Sequence, residues 1–554
     1  MSPRTHIGLL VLLAASLAAV LTACTGPSPG AGGTGQLGQS PAAPQDTTVT
    51  GLTALDVETV IEAAARAVSN NVSIAVVDRV GNILGVFNRG STPDNDEAAV
   101  GLARTGAFFS HNQGPLSSEL IRFLSRENFP EAVQDTPSAD LFGIEHTNRG
   151  CPVTDTGAGQ FPFNAGGGIP PARNIANTGT GIGVTTVPGG FPLYKGNLMV
   201  GGVGVFGAGD QVDEYASLVS TTNFQLAAPP PGKIFLVGIE LPYVHFDSNR
   251  TTPPTIPPGT VPGTFPGGGT FRALPDFTST SGLAYATAGT AVTGTRPSPI
   301  VKAPFAPEGY LIGPRAGTKL SKTDVDTIIQ LANAQANLTR AAIRLPIGTR
   351  CKMFFCVTEG IGGTSLEGVP VAKGTILGYF RMPDATIFSG DVCSEKAKNA
   401  VYFNEPDRDP ADLPGVPPGV SVTARTIGFG SQSMFPSGIK NSDPGPFRSL
   451  FLFDADHPCT QGQDFAPPTG FGPQNVFPAQ NKQGVCFFPG SSGLYRNGQL
   501  IGGWGASGDG VNQDDVITNA GAVDFLPAPE IRADQLIIRG VRLPFFKFSR
   551  NPDQ

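Results

Sequence analysis

An internal repeat runs through most of this 554-residue chain. Residues 52–61 recur at 320–329, and both stretches have the apolar spacing of an amphipathic, alanine-rich helix. Residues 193–207 align without a gap to residues 494–508. Three further matches keep the same order along the chain: 81–87 with 374–380, 103–109 with 397–403, and 238–246 with 540–548. Collinear matches of this kind predict two copies of one folding unit.

The repeat sets the expected domain boundaries. The first domain is predicted to span residues 52–250 and the second residues 305–554. Between them, residues 251–304 are predicted to form a linker, since residues 251–269 alone hold six prolines and five glycines.

Within each unit the pattern predicts a helix, a hairpin of two strands, a second helix, an irregular insertion, another hairpin, a helix and a last strand. Thr53 and Ser321 are suited to cap the two first helices, and Asn497-Gly498 is a strong hairpin turn signal. Hairpins followed by helices favour an α+β domain with an antiparallel sheet over a doubly wound sheet. The insertions, residues 111–187 and 404–490, show little periodicity, and loops of that length are often functional.

The N-terminus has the pattern of a bacterial export signal. Residues 1–23 combine Arg4 and an apolar run that is too short to span a membrane comfortably, and Leu-Thr-Ala precedes Cys24. This is typical of a lipoprotein signal, so we expect a lipid on Cys24, a flexible tether over residues 24–50 and membrane contact through the lipid only. The alternative is an ordinary cleaved signal with Cys24 as an incidental thiol.

Composition argues against two other classes of protein. A hydrophobic fraction of 40% with 36 phenylalanines is too high for a disordered chain, and a net charge of -7 gives no reason to expect nucleic acid as a partner. Only 15% of residues are charged, against about 25% in an average soluble chain, while 73 glycines and 52 prolines predict long and numerous loops.

Six cysteines follow Cys24, and in an exported chain an even number permits disulfide bonds. Cys351 and Cys356 would lie about 16 Å apart on opposite faces of a strand, so they are not expected to pair. We expect a bond between Cys459 and Cys486, which share one loop-like stretch. The spacing of a zinc site is absent from the sequence.

The repeated blocks resemble the GlcG/HbpS-like family of haem-binding proteins. The resemblance is carried by the first helix at residues 52–58, by the hairpin at 72–85 and by the glycine-rich block 193–207 with its following acidic pair, and it covers the core of each half. It implies a profilin-like fold, a tendency to form oligomers and, in some members, binding of haem or a corrinoid-associated role. The chain departs from the family pattern in its two copies and its long insertions.

Two glycine motifs, at residues 202–207 and 503–508, have the spacing of a dinucleotide-binding fingerprint. They follow a hairpin late in each unit, and acidic residues that would repel a pyrophosphate crowd the next helix. We therefore interpret them as structural glycines that let a helix approach a strand, with the acids stabilising the helix start. The acidic stretch 508–515 is likewise interpreted as helix capping, because it lacks the ligand pattern of a calcium loop.

Haem iron needs an axial ligand, most often histidine. His111 is the best candidate, because it follows a helix whose Phe108 could flank a porphyrin and whose Arg104 could meet a propionate. The alternative is a loop-exposed histidine without iron, and the second half has Asn404 or Glu405 at this place. His146, His245 and His457 are weaker candidates, for which hydrogen bonding is the simpler role.

The sequence therefore favours an exported lipoprotein that binds haem or a related small apolar ligand through two domains. The domains could pair within the chain as a pseudo-dimer, or the chain could form a homo-oligomer. A structural or interaction protein of the cell envelope is the alternative. A redox or haem-degrading enzyme ranks last, since neither a paired acid and base nor a metal-ligand cluster is visible in the sequence.

Overall fold

The computed structural model describes residues 51–81, 83–131, 133–144, 154–155, 159–160, 184–226, 233–244, 255–271, 308–456 and 484–547. Residues Asp46–Gln554 form one compact unit. We call residues 51–271 the first half and residues 308–547 the second half. The predicted signal and tether, residues 1–50, lie outside the described residues.

The first half contains four helices and nine strands among its described residues. In chain order they are α1 (Ala54–Ala67), β1 (Val72–Asp78), β2 (Ile83–Arg89), α2 (Pro93–Phe109), α3 (Ser118–Ser125), β3 (Thr154–Asp155), β4 (Gly159–Gln160), β5 (Gly190–Lys195), β6 (Leu198–Phe206), α4 (Asp210–Ser220), β7 (Phe235–Leu236), β8 (Ile239–Glu240) and β9 (Thr270–Phe271).

Five of these strands form an antiparallel sheet in the order β5-β6-β1-β2-β9. Helix α1 buries Val57, Val60, Ile61 and Ala64, whose spacing places them on one side of the helix, and it packs with α4 against the sheet. Helix α2 packs against β1, β5 and β6. Because the sheet is covered in this way, six of the seven residues of β1 are buried and its sequence is an almost continuous apolar run.

The second half contains five α-helices and nine strands among its described residues. In chain order they are β10 (Gly309–Ile312), α5 (Lys322–Leu338), β11 (Phe354–Glu359), β12 (Gly363–Thr364), β13 (Pro370–Val371), β14 (Ile376–Arg381), α6 (Phe388–Phe403), α7 (Ala424–Gly430), α8 (Arg448–Asp456), β15 (Ser491–Arg496), β16 (Gln499–Ser507), α9 (Val511–Gly521), β17 (Ile537–Ile538) and β18 (Val541–Arg542).

The second sheet has the order β15-β16-β11-β14-β10, which repeats the first sheet strand for strand. Helix α5 packs with α9, and α6 packs against β11, β15 and β16. The expected α+β architecture with two antiparallel sheets is confirmed.

Each sheet gains an edge strand from the chain near the boundary between the predicted domains. Strand β9 lies inside the predicted linker 251–304 and pairs with β2, whereas β10 begins shortly after that linker and pairs with β14. The added edge strand therefore takes the same position in both sheets. In the first half it comes after the repeated blocks in the sequence, and in the second half it comes before them.

Helix capping is also repeated. Thr53 caps α1 and exchanges hydrogen bonds with Asp56, and Ser321 caps α5 and exchanges hydrogen bonds with Asp324. Each capping carboxylate also binds a cation from the 193–207 block or its copy. Lys195 Nζ lies 2.6 Å from Asp56, and an Arg496 guanidinium nitrogen lies 3.0 Å from Asp324. The predicted N-caps are confirmed.

The described parts of the insertions contain helices that the sequence did not predict. Helix α3 lies in the first insertion, and α7 and α8 lie in the second. These helices have seven to nine residues, so each is too short to show a clear period in the sequence. Among the residues that the structure describes, no helix is both long enough and apolar enough to cross a membrane.

The glycine motifs bring a helix unusually close to a strand in both halves. A Cβ atom on Gly202 would lie 2.1 Å from the carbonyl oxygen of Ala103 in α2, and a Cβ atom on Gly503 would lie 2.0 Å from the carbonyl oxygen of Ala397 in α6. No side chain fits in such a gap. The interpretation of these residues as structural glycines is confirmed.

We expect Gly503→Ala to lower the free energy of unfolding by about 1–3 kcal/mol, because the new methyl group would overlap a backbone carbonyl that cannot rotate away. Urea denaturation of the full chain measures the change. Gly313→Ala is the matched control, since nothing lies within 4 Å of a Cβ atom at that position. Equal effects of the two substitutions would contradict the close-packing interpretation.

Candidate binding site between the two halves

The two halves meet along a shared core, which we call the seam. At its centre the ring of Phe109, the last residue of α2, stacks on the ring of Phe388, the first residue of α6, with 4.2 Å between ring centroids and 20° between planes. The two insertions also touch, because Phe142 stacks on Phe451 at 4.5 Å. The packing corresponds to the internal pairing of domains that the sequence suggested.

His111 lies in the seam, just beyond the end of α2. Its side chain is fully buried, and its Nδ1 accepts a hydrogen bond of 3.2 Å from the backbone N–H of Gln113. The Tyr194 hydroxyl donates to the His111 carbonyl oxygen at 2.9 Å. Nε2 faces the carbonyl of Ile343 in the second half, without a hydrogen bond of good geometry. His111 is therefore not the loop-exposed histidine of the alternative interpretation.

Burial holds the pKa of His111 well below its ordinary value, because the imidazolium form would lose its hydration. The positive charges of Arg344 and Arg79 act in the same direction, and the carboxylate of Asp384 opposes them. A neutral imidazole is the form expected at neutral pH.

Arg344 belongs to a polar network that links the two halves by hydrogen bonds. Its guanidinium forms an ion pair with Asp384 at 2.9 Å and another with Asp509, and it donates to the Gln113 side chain at 3.4 Å. Asp384 in turn accepts a hydrogen bond of 3.1 Å from the backbone N–H of Asn112. The loop around His111 is therefore held to the second half by a buried polar network.

Arg79 holds the end of α2 from the other side. Its guanidinium donates to the carbonyl oxygens of Ala107 and Ser110, which the helix end leaves without partners. Burial first, and then the nearby charge of Arg381, lower the pKa of Arg79 to about 9.

Arg104 and Phe108 lie on the side of α2 that faces the first sheet. Arg104 Nε donates to the Gly81 carbonyl oxygen at 3.0 Å, and a Cβ atom on Gly81 would lie 2.3 Å from the Phe108 ring. Both residues are buried, as His111 is, and Phe108 fills space against the turn between β1 and β2.

These contacts decide whether a porphyrin fits at the predicted site. A flat macrocycle on the Nε2 side of His111 would have to replace the Ile343 backbone, and one beside Phe108 would have to displace the β1–β2 turn. The residues present do not fit haem at this position while the seam is closed. The haem-binding roles of His111, Arg104 and Phe108 therefore stay predictions.

A small cavity lies between the two halves and is lined in part by Ile343. Its volume is about 20 Å³, room for about one water molecule and far below the range for ligand sites, about 300–1,000 Å³. Its walls are mostly apolar and come from both halves: Leu124, Leu141 and Leu236 from the first, and Ile343, Phe388, Phe488 and Val511 from the second. The sequence did not point to this cavity, because no single motif contains its walls.

Two carboxyl groups lie in the cavity wall. Burial raises the pKa of Asp140 and raises the pKa of Asp514 to about 7, even though Lys396 Nζ lies 2.8 Å from Asp514. Two such groups in an apolar wall could pair with a hydrogen-bonding or cationic group of a ligand once the halves move apart.

The acids after the glycine motifs act differently in the two halves. In the first half Asp213 accepts hydrogen bonds of 2.9–3.1 Å from the backbone N–H groups of Gly207, Ala208 and Gly209, so its carboxylate occupies the place where an anion would bind. Burial raises its pKa to about 6.

In the second half the expected helix capping is wrong, because no side chain caps the start of α9. The acids pair instead with cations brought by the second half's own fold: Asp509 with Arg344, Asp514 with Lys396, and Asp515 with Arg425. The capping interpretation failed because it considered only local partners.

Other predicted residues can be placed only in part. Cys351 and Cys356 are separate free thiols, as expected, but Cys486 is also a free buried thiol, so the expected bond between Cys459 and Cys486 is not formed. Cys459 itself, His146, His245 and His457 lie outside the described residues. Within those residues, no group of three histidine, cysteine or acidic side chains is arranged to hold a metal ion.

Comparison with known families and structures gives a match for the first half. The family model described as "Haem degrading protein HbpS-like" matches residues 50–218, a stretch that begins just before α1 and ends within α4. A comparison with curated proteins finds no match.

Three solved structures are similar to this chain at low identity. The PduOC–haem complex is 18% identical over 37% of this chain and 93% of its own, with a TM-score of 0.20. A double mutant of Streptomyces reticuli HbpS is 21% identical over 35% and 96%, with a TM-score of 0.19. Klebsiella pneumoniae protein ORFY is 15% identical over 36% and 86%, with a TM-score of 0.21.

We expect the buried His111 to make the chain less stable as pH falls. Its pKa is lowered in the folded state, so below about pH 6.5 the unfolded chain takes up a proton that the folded chain does not. Relative to His111→Gln, the wild-type chain should lose up to about 1.4 kcal/mol of unfolding free energy per pH unit below that point. Urea denaturation of both chains at pH 7.5, 6.5 and 5.5 measures this difference. The contributions of the other titrating groups are the same in both chains and therefore cancel. Parallel pH profiles would contradict a buried, neutral His111.

Proposed function

Because residues 50–218 belong to the HbpS-like family, we propose that this chain binds haem or a related small apolar molecule. The single observation that carries the proposal is the family match, which spans four of the five strands of the first sheet. The repeated sheet order and the repeated glycine contacts support a second unit of the same origin.

The seam cavity is the proposed place of binding. It adjoins the stacked rings of Phe109 and Phe388, and walls from both halves enclose it. At about 20 Å³ the closed cavity has room for about one water molecule, so a small apolar molecule or haem can enter only when the halves move apart. Opening of this kind would break the contacts of Arg344 and Asp384 with the loop around His111.

We expect haemin to give a shifted Soret band when it is titrated into the full chain at micromolar concentration. Leu141→Trp, which places a large side chain in the cavity wall, should weaken haemin binding at least tenfold if the ligand enters at the seam. Absorbance titration measures both effects. No Soret shift with the wild-type chain would rule out haem, and equal affinity for the variant would place the ligand elsewhere.

Leu338→Trp is the control for added aromatic surface, because Leu338 is 61% exposed and does not line the cavity. Thermal melting of each variant shows whether the fold survives. If haemin fails to bind, a fluorescent apolar probe that Leu141→Trp excludes would still support a small-molecule site. Loss of the Soret band with time in the presence of a reductant would favour haem degradation over simple binding.

We also propose that the chain is exported and held at the cell envelope by a lipid on Cys24. The pattern of residues 1–23 and the polar, glycine- and proline-rich stretch that follows support this role. A tether of that composition would leave the folded halves free to meet a ligand or an envelope partner away from the membrane.

Cys24→Ser should release the chain from the membrane fraction of a bacterial host, because the acylated thiol is lost. Fractionation followed by detection of the full chain measures the distribution. Mass spectrometry of the wild-type N-terminus should show cleavage before Cys24 and a diacylglyceryl group on it. An unmodified N-terminus at another residue would support the ordinary cleaved signal instead.

A further inference from the structure

We propose that Cys356 and Cys393 form a disulfide bond that ties the central strand of the second sheet to helix α6. Both side chains are fully buried and are free thiols in this structure, within hydrogen-bonding reach of each other, so the bond proposed is one that oxidation would form. The bond needs the oxidising compartment that the proposed export implies, although the chemistry can also be tested without export.

Alternation along β11 places Cys356 on the face that meets α6. Thr358, two residues further on, donates from its hydroxyl to the Ala397 carbonyl oxygen at 3.2 Å. Two residues before Cys356, the ring of Phe354 lies 3.1 Å from the position that a Cβ atom on Gly390 would take. Cys356 therefore faces the middle of the helical stretch between Gly390 and Ala397, where Cys393 is found.

The glycine contact of β16 brings the helix close enough for a covalent link. Gly505 is the direct partner of Cys356 in the sheet, and a Cβ atom on Gly505 would lie 2.2 Å from the Cys393 carbonyl oxygen. A disulfide bond requires Cα atoms within about 7 Å, which an ordinary separation of helix from sheet does not provide. The missing side chain at position 505 allows this approach.

The first half shows what stands at the same two positions without sulfur. Ala75 is the direct partner of Gly204 in the first sheet, and a Cβ atom on Gly204 would lie 2.1 Å from the Ala99 carbonyl oxygen. The two cysteines of the second half thus replace Ala75 and Ala99 as a pair. The second half thus has two neighbouring thiols where the first half has two methyl groups. A covalent link between the thiols explains this paired difference better than two unrelated substitutions in the core do.

The reaction is an oxidation of two thiols by thiol–disulfide exchange. A thiolate attacks a disulfide oxidant, and the second cysteine then displaces the oxidant's thiol. The protein loses two electrons and two protons, and the oxidant disulfide is reduced to two thiols. Burial raises the pKa of Cys393 well above its ordinary value, so exchange must occur before the helix closes on the sheet.

The test is refolding of the full chain from denaturant in a mixture of reduced and oxidised glutathione. After an acid quench, a thiol-alkylating reagent is added in denaturant without reductant, and the digest is examined by mass spectrometry. We expect a linked pair of peptides containing Cys356 and Cys393, two hydrogen atoms lighter than the separate thiol peptides, while Cys486 carries the label. Full labelling of both Cys356 and Cys393 would overturn the proposal.

Two variants separate the bond from general core packing. Cys356→Ala/Cys393→Ala copies the first half, and we expect it to melt about 4–8 °C below the oxidised wild-type chain. Cys486→Ala removes a buried thiol outside the pair and should leave the linked peptides in place. If the double variant does not fold, the linked peptides still decide the question. None of these results depends on haemin or on Cys24, so a failure here is distinct from a failure of the proposed function.

Discussion

The close approach of one helix to one glycine-rich strand, made once in each half, is the contact on which the rest of the structure depends. Where Gly202 and Gly503 stand, any side chain would collide with a helix carbonyl at about 2 Å. This contact sets how close α2 and α6 lie to their sheets. It therefore also helps to position Phe109, the last residue of α2, and Phe388, the first residue of α6. The two rings stack where α2 ends and α6 begins, so the two closely packed helices also form part of the contact between the halves.

The seam then combines apolar and charged contacts, which have different energetic roles. Stacked aromatic rings and buried aliphatic side chains favour association. The buried Arg344 with its two carboxylates adds little net stability by comparison, because desolvation offsets much of its attraction, but removal of one member would leave an unpaired buried charge and cost about 3–5 kcal/mol. Such a network therefore favours one arrangement of the halves. It also explains why His111 is enclosed: the loop that carries it supplies partners to that network.

The candidate site was predictable only on one side. Sequence reasoning found His111, Arg104 and Phe108, because a histidine after an aromatic helix is a local pattern. It could not find Ile343 or Phe388, which face that loop from more than two hundred residues away in the chain. The role of the acids that follow the glycine motif of β16 was predicted wrongly for the same reason. Asp514 and Asp515 pair with Lys396 and Arg425, which are distant in sequence. Capping by Thr53 and Ser321 was predictable because both partners lie within one helical turn.

By itself, the sequence determined the repeated order of elements, the α+β class, the hairpins, the caps and the structural meaning of the glycines. All of these depend on contacts between residues that are close in the chain, or on a pattern that occurs twice. Only the tertiary structure decided that strands near the domain boundary extend both sheets, that the seam encloses His111, and that Cys356 faces Cys393. These features arise where elements that are far apart in the sequence meet. The free energy of such contacts depends on the distances between side chains in space, which the spacing of residues along the chain does not give.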